Sequence, residues 1–162
     1  MRAREMYFRN FIFGIDDSLV STVGLLTGIA SAGVDRETIF LTGVVLIFVE
    51  AFSMAAGSFL SEASAEEYSA RNNVPASRSI TASIIMFGSY FIAGFIPLFP
   101  YVIADVGTAF PLSIACSLVA LFALGAWSGK LSKAGIMRSA FRMLIVGGIA
   151  IALGATVGVL LS

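Results

Sequence analysis

Three carboxylates lie inside apolar stretches of the sequence, where charged side chains are rare. Asp16 and Asp17 stand in the apolar run at residues 11–33, and Glu50 stands in the run at residues 38–60. An ionisable group near the centre of a membrane-spanning helix costs at least about 2.5 kcal/mol and usually serves a function. The sequence therefore indicates a functional site built from two consecutive segments.

Two of these carboxylates are expected on helix faces that also carry small residues. At about 100° per residue, positions three, four and seven apart share one face of a helix. The first face comprises Asp17, Ser21, Gly24 and Gly28. The second face comprises Gly43, Glu50, Met54, Gly57 and Ser61. Small residues let helix backbones approach closely in a membrane, so the four glycines are the predicted helix-packing positions.

Asp17, Glu50 and Met54 form the predicted metal site. Counted from the helix ends, Asp17 and Met54 lie roughly 9 Å deep and Glu50 roughly 15 Å deep. Carboxylate and hydroxyl oxygens suit divalent cations, and a thioether shifts the preference from Mg²⁺ or Ca²⁺ toward softer ions such as Fe²⁺. Carboxylates near the membrane interior also exchange protons readily, so Asp17 and Glu50 are the predicted proton-coupling groups.

Structural roles remain open for these residues. Asp17 and Glu50 would then only join helices through hydrogen bonds, and Met54 would fill the core. Asp16 points about 100° away from Asp17 and is expected to cap or solvate the helix end. Cys116 lies in an apolar run and is interpreted as a small buried hydrophobe.

Three further glutamates follow the second apolar run, namely Glu62, Glu66 and Glu67. Their spacing predicts a solvated helix face just beyond the membrane. The alternative hypothesis is that they gather cations at a cytosolic mouth through which metal would reach the site.

The composition predicts an all-α membrane protein. The 162 residues are 58% apolar and 12% charged, with a mean hydropathy of +0.95, whereas a soluble domain carries about 25% charged residues. The apolar runs are close to the roughly 20 residues that cross a bilayer as a helix. We expect one membrane domain over residues 1–162, with a short acidic cytosolic loop at 61–79. Within that connection, residues 61–68 continue the second helix with helix-forming residues, and residues 72–75, Asn-Asn-Val-Pro, are the predicted helix stop. Its five transmembrane helices are expected at about 11–33, 38–60, 80–99, 110–129 and 139–161.

The basic residues predict the orientation of these helices. With five spans, nine of the ten basic residues fall on one side of the membrane and only Arg36 falls on the other. The nine are Arg2, Arg4, Arg9, Arg71, Arg78, Lys130, Lys133, Arg138 and Arg142. Because basic residues collect on the cytosolic side, the N-terminus is predicted to be cytosolic and the C-terminus outside. The first span is interpreted as an uncleaved helix, since two aspartates interrupt what would be a signal peptide's hydrophobic region.

Several classes of function are disfavoured by what the sequence lacks. It contains no histidine, which excludes imidazole metal ligands and histidine proton relays. No serine–lysine or cysteine–base pair falls at a plausible depth, so we expect neither an enzyme nor a permanently bound cofactor. The basic residues form no clustered face, so nucleic acid is not an expected partner.

Two segments resemble the vacuolar iron transporter (VIT) family. Residues 14–28, Gly-Ile-Asp-Asp-Ser-Leu-Val-Ser-Thr-Val-Gly-Leu-Leu-Thr-Gly, are similar to the first helix of that family. Residues 50–61, with the core Ser-Met-Ala-Ala-Gly, are similar to its second helix. The likeness extends to residues 95–101 and to residues 138–148, and so touches all five predicted helices.

The resemblance implies a five-helix fold, a homodimer whose ion path is lined by helix 1, and export of Fe²⁺ or Mn²⁺ from the cytosol in exchange for protons. The helix-1 aspartate of the family corresponds to Asp17, and its helix-2 methionine corresponds to Met54. The expected location is an integral, multi-pass position in the lipid bilayer, either the cell membrane of a prokaryote or a vacuole-like membrane of a eukaryote.

Two departures from the family pattern are visible. Members often carry an acidic residue two turns before the helix-2 methionine, where this chain has Leu46. Glu50, one turn before the methionine, is the candidate replacement. Better-known members also insert a glutamate-rich cytosolic metal-binding domain between helices 2 and 3, which is missing here. The sequence thus predicts a short, proton-coupled exporter of divalent metal, with a non-transporting membrane scaffold or accessory subunit as the alternative.

Overall fold

The computed structural model describes residues 3–69 and 77–162, and within them the chain forms six α-helices and no strand. These are α1 (Ala3–Ser31), α2 (Arg36–Ser69), α3 (Ser77–Leu98), α4 (Pro100–Ile103), α5 (Val106–Leu131) and α6 (Ile136–Leu161). All of them except α4 are long and apolar enough to cross a membrane. The predicted all-α membrane protein with five transmembrane helices is confirmed.

The acidic segment that connects the second and third spans is helical up to Ser69, as its helix-forming residues predict. The second helix continues without interruption to Ser69, and α3 begins at Ser77. Alanine and glutamate favour helix, and no glycine or proline interrupts residues 61–69, so nothing ends the helix at the membrane boundary. The predicted helix stop at residues 72–75 and the basic residues Arg2 and Arg71 lie outside the described residues.

The first helix is the central element of the bundle. It packs against α2, α3, α5 and α6, and α3 also packs against α2. Leu19, Val23 and Leu26 of α1 are fully buried by these neighbours. Because α1 is held on several sides, the position of its side chains relative to α2 and α3 is fixed by packing.

Glycines bring α1 and α6 into backbone contact. Gly24 lies against Ala150, and Gly28 lies against Gly154. A Cβ atom at Gly154 or at Gly158 would overlap the carbonyl oxygen of the facing α1 glycine. The predicted packing glycines of helix 1 therefore contact another helix of the same chain, and α6 covers that face of α1.

A tight turn reverses the chain between α1 and α2. Gly33 has a φ of +76°, a conformation that glycine adopts readily. The Asp35 carboxylate then caps α2 by accepting hydrogen bonds from the Thr38 backbone N–H (3.0 Å) and hydroxyl (2.8 Å). These hydrogen bonds from Thr38 hold the pKa of Asp35 below its ordinary value, so the cap is retained well into acidic pH.

Candidate metal site

Two contacts fix the antiparallel register of α1 and α2. Near the end of the bundle that carries the N-terminus, the Ser58 hydroxyl donates a hydrogen bond to Asn10 Oδ1 at 2.9 Å. Farther along the same pair, Gly43 lies against the side chains of Leu26 and Leu98. The middle of each helix lies between these contacts, so the levels of intervening residues follow from the helical rise of about 1.5 Å per residue.

This register places the three predicted metal-site residues at similar levels. Glu50 lies roughly 2 Å from the level of Asp17 along the bundle, and Met54 lies roughly 4 Å from it in the opposite direction. The charges of Asp17 and Glu50 act on each other, and all three side chains are partly exposed. The structure thus brings together the two carboxylates and a thioether, while their role as metal ligands stays a prediction.

The carboxylate count of this site is low for a metal ion. Over residues 3–69 and 77–162, no group of three or more Asp, Glu, Cys or His side chains could hold a metal. A site within one chain would therefore depend on two carboxylates supplemented by the thioether and by hydroxyl groups.

Tyr90 of α3 is a neighbour of the site that the sequence analysis missed. Its hydroxyl lies 2.7 Å from Ser21 Oγ, and its backbone carbonyl accepts a hydrogen bond from Ser18 Oγ at 2.6 Å. The charges of Asp17 and Glu50 both act on the phenol. A buried tyrosine in an apolar span needs a polar partner, but the sequence does not show which helix provides it.

A cleft of about 610 Å³ opens beside the site, between α1, α2 and α3. Met54 lines it together with Met86 of α3, a second thioether that the sequence analysis did not single out. Gly57 also lines the cleft, and no described atom lies within 4 Å of where its Cβ would be. Within this chain Gly57 therefore leaves space for the cleft and packs against no other described helix.

Glu62 is buried at the wall of this cleft, which corrects the prediction that it lies on a solvated face. The Arg9 guanidinium forms an ion pair with its carboxylate, and Asn10 Nδ2 approaches the same oxygen at 3.5 Å. The pair joins α1 to α2 at the end of the bundle that carries the N-terminus. The side chains of Glu66 and Glu67, the other two residues predicted at the mouth, lie outside the description.

Asp16 is an interior residue of α1, so the prediction that it caps a helix end is wrong. The helix begins at Ala3, thirteen residues earlier, because the polar N-terminal segment is itself helical. Asp16 Oδ1 is buried and has no hydrogen-bond partner among the described residues. Its carboxylate interacts with the charges of Asp17 and of Arg142, which lies on α6.

The Arg9–Glu62 pair predicts an asymmetric effect on stability. Arg9→Ala would leave the buried Glu62 carboxylate without its cation, whereas Glu62→Ala would leave an exposed arginine in solvent. We expect Arg9→Ala to lower the free energy of unfolding by about 1–3 kcal/mol, and Glu62→Ala to lower it by less. Melting temperatures of the two purified variants in the same detergent measure the difference, and equal losses would contradict the prediction.

Comparison with known proteins identifies the family of this chain. The chain matches the sequence profile of the VIT family over residues 8–78 and 65–159. It is 28% identical to vacuolar iron transporter homolog 2 of Oryza sativa subsp. japonica, an alignment that covers 91% of this chain and 87% of that protein. It is 26% identical to vacuolar iron transporter homolog 4 of Arabidopsis thaliana over 93% of this chain and 81% of that protein. These matches extend over almost the whole chain, and the chain belongs to the VIT family.

Proposed function

We propose that the protein exports a divalent first-row metal ion, Fe²⁺ or Mn²⁺, from the cytosol in exchange for protons. The observation that carries this proposal is the placement of Asp17 and Glu50 at one level between two membrane-spanning helices, within one turn of Met54. A carboxylate binds either a metal cation or a proton, so binding of one releases the other. Transport of the metal ion and of protons is then coupled in opposite directions across the membrane. The relatives' printed names, vacuolar iron transporter homologs, support the same class of substrate.

The direction of transport follows from the proposed orientation. The positive-inside bias supports a cytosolic N-terminus, and with that orientation the cleft beside Met54 would open to the cytosol. A cation would reach the carboxylates from that side and leave on the other. In a eukaryotic cell the receiving compartment would be of vacuolar type, and in a prokaryote the protein would lie in the cell membrane.

A homodimer is part of this proposal, because one chain provides few ligands. Two copies that appose the same side of α1 would double the carboxylates and thioethers at one level. The glycine face of α1 is covered by α6 only at Gly24 and Gly28, so the proposed contact uses the N-terminal part of the same face, where Phe13, one turn before Asp17, is 49% exposed.

Transport into inside-out vesicles tests the proposed function. We expect wild-type vesicles to take up Mn²⁺ or Fe²⁺, at a rate that increases with an opposing proton gradient. Asp17→Asn and Glu50→Gln, which keep side-chain size and remove the charge, are each expected to lower uptake at least about tenfold. Asp105→Asn is the matched control, because this exposed carboxylate lies at the start of α5, away from the site.

The same assay separates the alternatives. Unaltered uptake by Asp17→Ala and Glu50→Ala would contradict the assignment of the site while leaving a transporter. Wild-type protein that neither transports nor binds a divalent ion at neutral pH would favour the membrane scaffold or accessory subunit.

A further inference from the structure

The contacts of Tyr90 surround the turn of α1 that carries Asp17. Ser18, the next residue after Asp17, donates a hydrogen bond to the Tyr90 carbonyl, and Ser21, one turn later, is hydrogen-bonded to the Tyr90 hydroxyl. Both the backbone and the side-chain end of Tyr90 are therefore attached to α1. These two hydrogen bonds fix, at this turn, how α1 is rotated about its own axis and how far it is shifted along α3.

Close packing on both sides makes this attachment rigid. A Cβ atom at Gly94, one turn after Tyr90, would lie 3.0 Å from Ser18 Oγ. A Cβ atom at Gly14, one turn before Ser18, would overlap Ser89 Oγ. Because α1 and α3 are this close on either side of Tyr90, neither helix can shift without breaking the hydrogen bonds between them.

The two hydroxyl groups leave one hydrogen available to a further acceptor. Tyr90 and Ser21 carry one hydroxyl hydrogen each, and the bond between them uses one. When Ser21 donates to the phenol, the Tyr90 hydrogen is free, and the carboxylates of Asp17 and Glu50 are the charged groups that act on it. The other acceptor for Ser21, the Ser18 carbonyl, lies at 3.5 Å, where a hydrogen bond is weak.

We propose that Tyr90 is a positioning residue of the metal site, whose buried hydroxyl, held by Ser21, fixes the turn of α1 that carries Asp17. The inference rests on the proposed function and deepens it, because a residue of α3 would then contribute to the affinity for the transported ion. Tyr90 is fully buried, so its hydroxyl contacts protein groups, not solvent. A ligand that is held in place before the ion arrives binds it more tightly, since less freedom is lost on binding.

Tyr90→Phe tests the inference because it removes only the hydroxyl. The hydrogen bond from Ser18 to the backbone carbonyl remains, so the packing of α1 on α3 is retained. We expect the KM for Mn²⁺ uptake into vesicles to rise about tenfold, with the maximal rate changed less than about twofold and a melting temperature near that of the wild type. Direct Mn²⁺ titration of the purified protein should show the same loss of affinity.

Tyr101→Phe is the matched control. Tyr101 is also buried, but it lies in α4, and its hydroxyl has no hydrogen-bond partner among the described residues. Its removal is expected to leave the KM for Mn²⁺ unchanged. An equal rise of KM in both variants would overturn the inference, because it would show a general response to losing a buried hydroxyl.

Ser21→Ala keeps the test decisive if Tyr90→Phe does not fold. Because the two hydroxyls act as one unit, Ser21→Ala should raise KM by a similar factor, and the double variant should be no worse than the poorer single variant. A wild-type KM in a folded Tyr90→Phe or Ser21→Ala protein would overturn the positioning role while wild-type transport stands. Failure of the wild type to bind or transport Mn²⁺ and Fe²⁺ would instead overturn the proposed function, and the inference with it.

Discussion

Gly158→Ala is expected to destabilise the protein by about 1–3 kcal/mol, the usual cost of forcing extra atoms into a packed interior. Its Cβ would overlap the carbonyl oxygen of Gly28 on α1. That oxygen belongs to a helix backbone, so it cannot move aside by changing a rotamer, and the two helices would have to separate. Alanine favours helix by about 1 kcal/mol over glycine, so a net loss would show that the overlap outweighs propensity. The melting temperature of the purified protein in detergent measures the effect.

Gly148→Ala in the same helix is the matched control. No described atom lies within 4 Å of a Cβ built at this position. Only the helix propensity changes there, so the melting temperature is expected to stay the same or to rise slightly. If Gly158→Ala were as stable as Gly148→Ala, α1 and α6 would not be in backbone contact in the membrane, and the covered glycine face of α1 would be open to a second copy.

The elements of this fold were predictable because each is set by local properties of the sequence. A run of about 20 apolar residues has only the helical solution in lipid, and five such runs are present. That Asp17 and Glu50 lie near each other was also predictable, because a short turn forces α1 and α2 to be antiparallel. Their levels were not, because counting from the helix ends separates them by about 6 Å. The contacts of Ser58 with Asn10 and of Gly43 with Leu26 set a register in which the two lie roughly 2 Å apart along the bundle. The acidic extension to Ser69 is also predictable from local properties, because alanine and glutamate favour helix with or without lipid.

The rest of the site depends on which helices are neighbours, and periodicity does not determine this. Gly24 and Gly57 each follow a carboxylate by seven residues on the same helix face. In the structure α6 covers Gly24, whereas a cleft adjoins Gly57. The spacing of Glu62 predicts a solvated face, but Arg9, 53 positions away in the sequence, pairs with its carboxylate. Tyr90 comes near Asp17 only because α3 packs against both α1 and α2. Long-range contacts of this kind are a property of the bundle and are absent from any single helix.

The level of the carboxylate on α2 should decide whether transport occurs in this chain. Glu50 lies roughly 2 Å from the level of Asp17, whereas Leu46 lies roughly 8 Å from it, toward the contact between Gly43 and Leu26. A side chain at position 46 would therefore be too far along α2 to share an ion with Asp17, whose partner carboxylate must approach within a few ångströms.

Moving the carboxylate by one turn tests this argument. We expect Glu50→Leu to reduce metal uptake into vesicles at least about tenfold. Adding Leu46→Glu to that variant should not restore uptake, although it restores the number of carboxylates and matches the position at which related proteins often carry an acid. Leu46→Glu alone, with Glu50 in place, controls for any damage from the new charge. Full recovery in the double variant would show that the ion path tolerates either level, and Asp17 would then have to meet its partner carboxylate elsewhere along α2.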